Sequence, residues 1–435
     1  MTETPRIIKD FDKLTQSIHE KNTPAWLKEL SDKSLSQFHK LGLPNIKDEE
    51  WKYTNLAQAL SRTYSIPQKG QFTPTAKVGR YINNKELNIV FVNGHFSKEL
   101  SNVKNLPKGV TVVNLKEAIT SKEETLKKIL TRYDVDKTTA FIALNKAITT
   151  EGVYVEIAAN TVCKELLHIV HLTDASGKDA ITFPRSVIVS GKSSEATILE
   201  SHISTEDNLI YLTNALTDIF VDENATLHYC KAQKESMKAY HINNTRVWQE
   251  RDSHFDGFTL IAGSAINRNN LDIVLNGEGC DGTLNGLYSI YGNQHADNHT
   301  SVDHKFPNCT SNQLYKGILN GSSRAVFNGK IFVREAAQKT NSYQLNKNLL
   351  LGKDCRIDTK PQLEIFADDV KCTHGATVGQ LDEDQLFYLQ SRCIARKDAI
   401  KILARGFVDD LVNVIKNDSV NEKLHQLLEP SFAAL

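Results

Sequence analysis

Hydrophobic and polar positions change their spacing twice along the chain. Up to about residue 150 the sequence is charged, and its apolar residues recur at helical intervals. From about residue 155 to 380, short runs rich in Val, Ile, Thr and Tyr alternate with period two, which is typical of strands. Helical spacing returns after Asp382. The pattern predicts a mostly helical region at 1–150, a strand-rich core at 151–381 and a helical region at 382–435.

The strand-rich core contains no helical pattern over more than 200 residues. Two architectures fit such a run, namely a sandwich of antiparallel hairpins and a parallel β-helix with short strands stacked coil on coil. The length of the helix-free run favours a right-handed parallel β-helix, although no strict repeat length is visible. Asn-Gly pairs suit its corners. They occur at Asn276-Gly277, Asn285-Gly286, Asn320-Gly321 and Asn328-Gly329.

The C-terminal region predicts two amphipathic helices. Capping-box patterns begin at Asp382 and Ser419, and Pro430 is expected to end the second helix. The apolar stripe of the first helix must be buried, either on this chain's own core or on a partner protein. Its members include Ile400, Leu403, Phe407 and Leu411.

Charge and cysteine usage exclude several classes of function. Lys plus Arg equals Asp plus Glu, at 52 each, so no net field attracts nucleic acid or an acidic membrane. The start MTETPRIIKDFDK has no apolar signal region, and no apolar run is long enough to span a bilayer. Seven scattered cysteines without a C-x-x-C pair are expected to be reduced thiols in the cytoplasm.

Two glycine motifs resemble nucleotide sites but lack the required context. Gly277 to Gly282 matches G-x-G-x-x-G, but a strand-like segment follows where a dinucleotide site needs a helix. Gly191-Lys192-Ser193 follows a β run that cannot wrap a phosphate. We therefore expect no nucleotide on this chain.

The stretch GNQHADNHTSVDHK is the first candidate metal site. His295, Asp297 and His299 share a face if the segment is a strand, and His304 lies nearby in sequence. Imidazole and carboxylate groups can hold Zn²⁺ or Fe²⁺. The alternative is a hydrogen-bonded strand edge or a subunit contact.

Cys372 and His374, in the stretch DDVKCTHGAT, are the second candidate metal site. On a strand they point to one side, opposite Lys371 and Thr373. One thiolate and one imidazole are too few to close a tetrahedral iron site, so another chain would have to supply the remaining ligands. A nucleophile with its base, and simple packing of a buried cysteine, are the alternatives.

Four ordered stretches resemble the SufD branch of the iron–sulfur cluster assembly proteins. They are Asp48 to Leu56 (DEEWKYTNL), Arg324 to Gly329 (RAVFNG), Asn348 to Gly352 (NLLLG) and Asp358 to Arg392. The resemblance implies a β-helix core with helical ends and a non-catalytic scaffold role. It implies a SufB-type paralogue as partner and a SufC-type ABC ATPase that hydrolyses the ATP. A transient iron–sulfur cluster would form at the SufB interface on Cys372 and His374, and reduced flavin in the complex is left open.

Two positions refine the resemblance. SufB-type sequences carry a cysteine where this chain has Leu389, so the chain is more similar to SufD. Cys393 stands where the family usually has glycine, which would strain the turn if the position needs a positive φ.

The open strands at the end of a β-helix invite pairing. We expect the isolated chain to form a homodimer through residues 363 to 378. The Ile400, Leu403, Phe407 and Leu411 stripe is expected to dock the ATPase. The alternatives are a β-helix carbohydrate-active enzyme and an iron-binding metallochaperone that uses the histidines at 295 to 304.

Overall fold

A computed structural model defines the fold. It describes residues 10–13, 15, 23–67, 69, 79, 81–82, 86–132, 138–148, 151–174 and 179–435. The predicted helical region therefore lies partly outside the described residues, whereas the predicted strand core lies almost wholly inside them.

Strands dominate the described part of the chain. They are β1 Leu87–Val92, β2 His95–Asn102, β3 Val110–Asn114, β4 Val153–Ile157, β5 Val162–Thr173, β6 Ala180–Thr182, β7 Arg185–Ser190, β8 Glu195–Ser204, β9 Tyr211–Val221, β10 Thr226–Lys234, β11 Tyr240–Gln249, β12 His254–Ile261, β13 Ile266–Leu275, β14 Asp281–Ile290, β15 His295–His304, β16 Thr310–Leu319, β17 Arg324–Val333, β18 Thr340–Leu350, β19 Arg356–Ile365 and β20 Val370–Gly379.

Helices flank these strands. They are α1 Ala25–Leu41, α2 Ala57–Leu60, α3 Leu115–Ser121, α4 Glu123–Arg132, α5 Ala140–Ile148, α6 Glu383–Ser391, α7 Arg396–Val412 and α8 Asp418–Ala433, with a 3₁₀ turn at Glu49–Trp51. None of the described helices is long and apolar enough to cross a membrane.

The strands form two sheets of a parallel β-solenoid with about seven turns. Sheet I has the order β2-β1-β5-β8-β10-β12-β14-β16-β18-β20, and sheet II has the order β19-β17-β15-β13-β11-β9-β7-β4-β3. Successive coils pair in parallel and in register, as β10 does with both β8 and β12. The predicted parallel β-helix is confirmed, and the sandwich is excluded because its hairpins would pair antiparallel.

The two ends of the solenoid differ. At the first coil, β2 pairs antiparallel with β1 and β3 pairs antiparallel with β4. At the last coil, β19 and β20 each pair on one side only. Their outer edges, like those of β2 and β3, carry backbone groups with no strand beside them among the described residues, so the ends differ in the direction of the terminal pairing. We call the end formed by β19 and β20 the open end.

Strands β1 to β3 lie within the region predicted as mostly helical. Val90 and Phe91 on β1 are buried, and β1 continues sheet I by pairing with β5. The apolar run Ile89 to Val92 is short, and the charged residues around it led to the helical prediction. The run forms a buried strand because β5 pairs with it in sheet I.

The C-terminal helices cover the outer face of sheet I. Val408 and Val412 on α7 and Leu424 and Leu428 on α8 are fully buried in one apolar cluster with sheet residues such as Phe258. Asp382 caps α6 as predicted, since its Oδ1 accepts a hydrogen bond of 2.8 Å from Asp384 N.

Three C-terminal helices are present among the described residues where two were predicted, because the first is divided into α6 and α7, and the last, α8, differs from its prediction at both ends. Asn417, rather than Ser419, caps α8, because its Oδ1 accepts a hydrogen bond of 3.1 Å from Val420 N. The helix also runs past Pro430 to Ala433. Pro430 is exposed near the end of the helix, where a missing hydrogen bond costs less than in the interior.

The two glycine motifs form corners, as predicted. Gly279 has φ 74°, and strand β14 begins two residues later at Asp281. A Cβ on Gly277 would lie 2.3 Å from the backbone N of Arg251 in the preceding coil. Ser193, in the other motif, has φ 54° in the turn before β8. The glycines of both motifs allow close contact between neighbouring coils.

Candidate functional site

Cys372 and His374 lie on β20, the last strand of sheet I. Their Cα partners on β18 are Ser342 and Gln344, which are both buried inside the solenoid. Cys372 and His374 therefore face the interior at its open end, on one side of the strand. The shared face that the sequence pattern predicted is confirmed.

The two side chains differ in exposure. Cys372 is half-buried against the apolar cluster of Ile331, Val333, Ala337 and Ala367, and burial raises the pKa of its thiol. His374 is exposed. A thiol at the edge of an apolar cluster becomes a strong ligand when a cation draws off its proton. Cys372 thus packs on one side and stays partly accessible on the other.

An apolar rim surrounds the open end. Ile365 ends β19, Phe366 follows it, Val378 lies on β20, and Tyr343 lies on the outer face of β18; their exposed fractions are 39%, 60%, 50% and 44%. Monomeric proteins rarely expose apolar side chains grouped in this way. Cys372 and His374 therefore lie near exposed apolar side chains, which suits a surface that a second chain covers.

A row of buried polar side chains leads inward from His374. Gln344, its register partner, donates a hydrogen bond of 3.1 Å to Gln313 Oε1. The same oxygen accepts a hydrogen bond of 2.9 Å from Thr300 Oγ1. The interior behind the site is therefore polar but not fully paired, because Gln344 Oε1 and Gln313 Nε2 are buried without a hydrogen-bond partner among the described residues.

The histidines at 295 to 299 lie elsewhere, on the outer face of β15 in sheet II. His295, Asp297 and His299 share that face, as predicted. His295 Nε2 lies 2.8 Å from Thr54 Oγ1, and His299 Nε2 lies 3.0 Å from an Asp297 oxygen. His299 Nδ1 lies 3.1 Å from Glu50. These contacts tie the N-terminal segment at 49–54 to the solenoid.

Charge pairing strengthens this attachment. Burial would raise the pKa of Asp297, but Arg268, 2.6 Å away, and His299 hold it far below its usual range. The hydrogen bond to His299, joined by the Lys330 ammonium, lowers the pKa of Glu50 to about 2. The nitrogens and carboxylates that a metal would need are therefore already engaged, which favours the hydrogen-bonded alternative for this group.

His304 departs from the other three candidates. It faces the interior of the solenoid, and its Nε2 lies 2.9 Å from Ser311 Oγ. Because it sits nine residues after His295 on one strand, it points to the opposite face. The four side chains do not converge on one metal.

Three of the stretches that resemble the SufD family meet on the outer face of sheet II. Trp51, from the first motif, lies under the Arg268 guanidinium at 4.5 Å, and Tyr53 lies 5.7 Å from that of Arg324. Arg324, from the second motif, pairs with Asp358 of the fourth at 2.7 Å. Three of the four stretches therefore meet where the N-terminal segment at 49–54 packs on sheet II.

The predicted partner stripe on α7 is divided. Ile400, Leu403 and Phe407 are half-buried, and the Lys316 ammonium lies 4.8 Å above the Phe407 ring. Leu411 is 1% exposed and packs in this chain's own core, which corrects its assignment to a partner surface. Phe407 also packs against the edge of that core, and contact of the stripe with a partner protein stays a prediction.

Cys393 adopts the conformation that would strain it. Its φ is 63°, in the left-handed region, and its side chain is exposed after α6. On α6 itself, Phe387 and Tyr388 are 73% and 58% exposed, while Leu389 is half-buried. An apolar surface therefore lies beside the turn that Cys393 closes.

Comparisons with known proteins agree with this architecture. Residues 171–407 match the family model described as SUF system FeS cluster assembly, SufBD core domain, and residues 1–169 match SufBD protein N-terminal region. The chain is 32% identical over 394 residues to an iron–sulfur cluster assembly SufBD family protein of Synechocystis, covering 89% of this chain and 87% of the relative.

Two relatives carry the name iron–sulfur cluster assembly protein SufD. That of Escherichia coli is 31% identical over 392 residues, covering 90% of this chain and 89% of the relative. That of Bacillus subtilis is 25% identical over 441 aligned positions, covering 99% of each. With two family models that together span most of the sequence, the chain belongs to the SufBD family of iron–sulfur cluster assembly proteins.

Proposed function

We propose that this chain is a SufD-type scaffold subunit without catalytic activity of its own. It acts in the cytoplasm with a SufB-type paralogue and a SufC-type ATPase, and ATP is hydrolysed on the ATPase. The full-length similarity to proteins named SufD supports this role. The seven free cysteines suit a reducing compartment.

The observation that carries the proposal is the half-site on β20. Cys372 and His374 supply a soft and a borderline donor on one face of an edge strand, and the rim around them is apolar. A SufB-type chain that pairs with this end supplies the missing ligands. The nascent iron–sulfur cluster is then the cargo of the joint site and not a resident group of this chain.

The C-terminal helices supply the surface for the ATPase. Their buried stripe packs on sheet I, which leaves Phe387, Tyr388 and Ile402 exposed. These three side chains, with half-buried Phe407, form the apolar surface that the ATPase covers. They replace Leu411 in the expected contact set.

Loss of a side chain of the half-site should impair cluster formation but not assembly of the three-protein complex. Replacing Cys372 or His374 by Ala should leave the complex intact, and truncation at this half-exposed edge should cost at most about 1 kcal/mol of stability. Cluster build-up on the purified three-protein complex should fall sharply, because water cannot replace a lost ligand without exposing the cluster. Anaerobic reconstitution with iron and sulfide, followed by visible absorption, measures this with and without reduced flavin.

Thr373→Ala is the matched control. Thr373 lies between the two candidates on the opposite, exposed face of β20, so its loss should not change cluster yield. A wild-type cluster yield from the double variant Cys372→Ala/His374→Ala would mean that both residues only pack and do not bind the cluster.

A further inference from the structure

A second group of metal-ligating side chains lies deep inside the solenoid. His171 on β5 and Glu200 and His202 on β8 occupy inward positions on adjacent strands of sheet I. Their side chains are 7%, 1% and 1% exposed. Ile169 and Ile198, two residues earlier on the same strand faces, belong to the apolar core. His171, Glu200 and His202 thus occupy inward positions on strands whose neighbouring inward residues are apolar.

The three side chains converge on one point. One ligand atom from each lies within 4.8 Å of the others. His171 Nε2 is 3.0 Å and His202 Nε2 is 3.7 Å from the same Glu200 oxygen, Oε1. The two imidazole rings stack with centroids 4.7 Å apart. Coordination of one ion would require the three atoms to move closer together, and the ion would replace the hydrogen bond between His171 Nε2 and Glu200 Oε1.

Neighbouring hydroxyl groups fix the carboxylate. Ser186 donates to Glu200 Oε1 at 2.8 Å, Thr217 donates to Oε2 at 3.0 Å, and the Tyr229 hydroxyl also donates to Oε2. Metal-binding carboxylates are commonly oriented by such outer hydrogen bonds. Glu200 is therefore held in place by groups outside the triad.

His202 leaves a ligand atom unused. Its Nε2 makes no hydrogen bond within the described part of the chain, although the residue is almost fully buried. A buried polar nitrogen without a partner costs about 1–3 kcal/mol. A metal ion bound at this nitrogen would satisfy it.

Charged side chains surround the triad. Glu235 is a second buried carboxylate, and His241 Nδ1 lies 2.7 Å from it. Lys231, also buried, donates a hydrogen bond to Asn243 Oδ1. Two buried carboxylates therefore lie with one ammonium in this part of the interior.

We infer that His171, Glu200 and His202 bind one divalent first-row transition-metal ion inside the solenoid. Two imidazoles and one carboxylate form a ligand set that suits Zn²⁺ and Fe²⁺. The group contains no thiolate, which an iron–sulfur cluster would need. Six strand spacings separate β8 from β20 in sheet I, or about 29 Å at ~4.8 Å each. The site is therefore separate from the half-site of Cys372 and His374.

Burial determines how such a site is filled. Because the ligands are enclosed by sheet I and sheet II, the ion enters while the coils are still forming and then links β5 to β8. Chelators should not remove the metal from the folded chain, and loading requires expression in, or refolding from, a metal-containing medium.

Metal content of the full chain tests the inference. The protein is expressed in defined medium with Zn²⁺ and, separately, refolded anaerobically with Fe²⁺; it is then desalted against chelator and analysed by elemental mass spectrometry. We expect one metal ion per chain and at least a tenfold lower content in His202→Gln. His228→Gln, at a half-exposed histidine of the same sheet that pairs with Asp256, should keep the metal.

Two further measurements keep the result decisive. If His202→Gln fails to fold, refolding of the wild-type chain with Co²⁺ should give the visible bands of imidazole and carboxylate ligation without a thiolate charge-transfer band. The variant Cys372→Ala/His374→Ala should retain the ion, so that failure of the half-site and of this site can be distinguished. A metal-free wild-type chain after both loading routes, or equal metal content in His202→Gln, would overturn the inference.

Discussion

Cys393 has a backbone conformation that its side chain disfavours. A non-glycine residue in the left-handed region costs about 1–2 kcal/mol, part of which glycine would lose again through its freer unfolded chain. With φ at 63° and an exposed side chain, Cys393→Gly should raise the free energy of unfolding by about 0.5–1 kcal/mol, measured by urea denaturation.

Cys393→Ala is the matched control for that change. It removes the same thiol but keeps a Cβ in the strained conformation, so stability should stay at the wild-type value. Equal stabilisation by alanine and glycine would mean that the thiol, and not the backbone, is the source of the cost.

Even or odd spacing along a strand decides which face a residue occupies, and this rule can be applied to the sequence alone. The even separations of His295, Asp297 and His299, and of Cys372 and His374, placed each set correctly on one face. His304 stands at an odd separation from His295, so the same rule would have removed it from the group. The engagement of these side chains by Glu50 and Thr54 was out of reach, because those partners are more than 240 positions away in sequence.

The helix α7 carries both an internal and an external surface. Leu411 is 1% exposed, whereas Ile402 is 47% exposed. Leu411→Ala should destabilise the protein by about 2–5 kcal/mol because it leaves a cavity between α7 and sheet I. Ile402→Asp should change stability by no more than about 0.5 kcal/mol but weaken binding of a SufC-type ATPase. Denaturation and pull-down from the purified proteins measure the two effects.

The opposite pattern would reverse the assignment of the two surfaces. If Leu411→Ala weakened ATPase binding while stability was kept, α7 would leave the solenoid in the complex. Sequence periodicity predicted that α7 is amphipathic, but it could not show which part of a wide stripe meets the sheet. That depends on residues such as Phe258, which belong to distant coils.

At the scale of the whole molecule, the open end predicts self-association. Phe366 is 60% exposed beside the unpaired edges of β19 and β20. The isolated chain should be a homodimer at micromolar concentration, and Phe366→Glu should convert it to a monomer, because a buried unpaired charge is costly at an interface. Light scattering after size exclusion gives the mass. Val414→Glu, at a residue 56% exposed on the C-terminal helical region, is the control and should remain dimeric.

The solenoid itself was predictable from its long helix-free run of strands, but the pairing of its coils was not. His171 and His202 are register partners although 31 positions separate them, and a register irregularity lies between Val162 and Leu166 on β5. Without a strict repeat length, no sequence pattern aligns His171 with Glu200 and His202. The buried triad therefore became visible only when the coils were stacked.

The unequal ends of the solenoid limit how many chains can join through them. Antiparallel β2 and β3 terminate the first coil, and β2 exposes Lys98 and Glu99 there. The edges at the last coil belong to parallel strands and those at the first coil to antiparallel strands, so the two ends do not present the same pairing pattern. Two chains that join through their last coils cover both of those ends, so addition through this end stops at two chains, whether the second is a copy or a paralogue. Growth into a fibre would require contact between unlike ends.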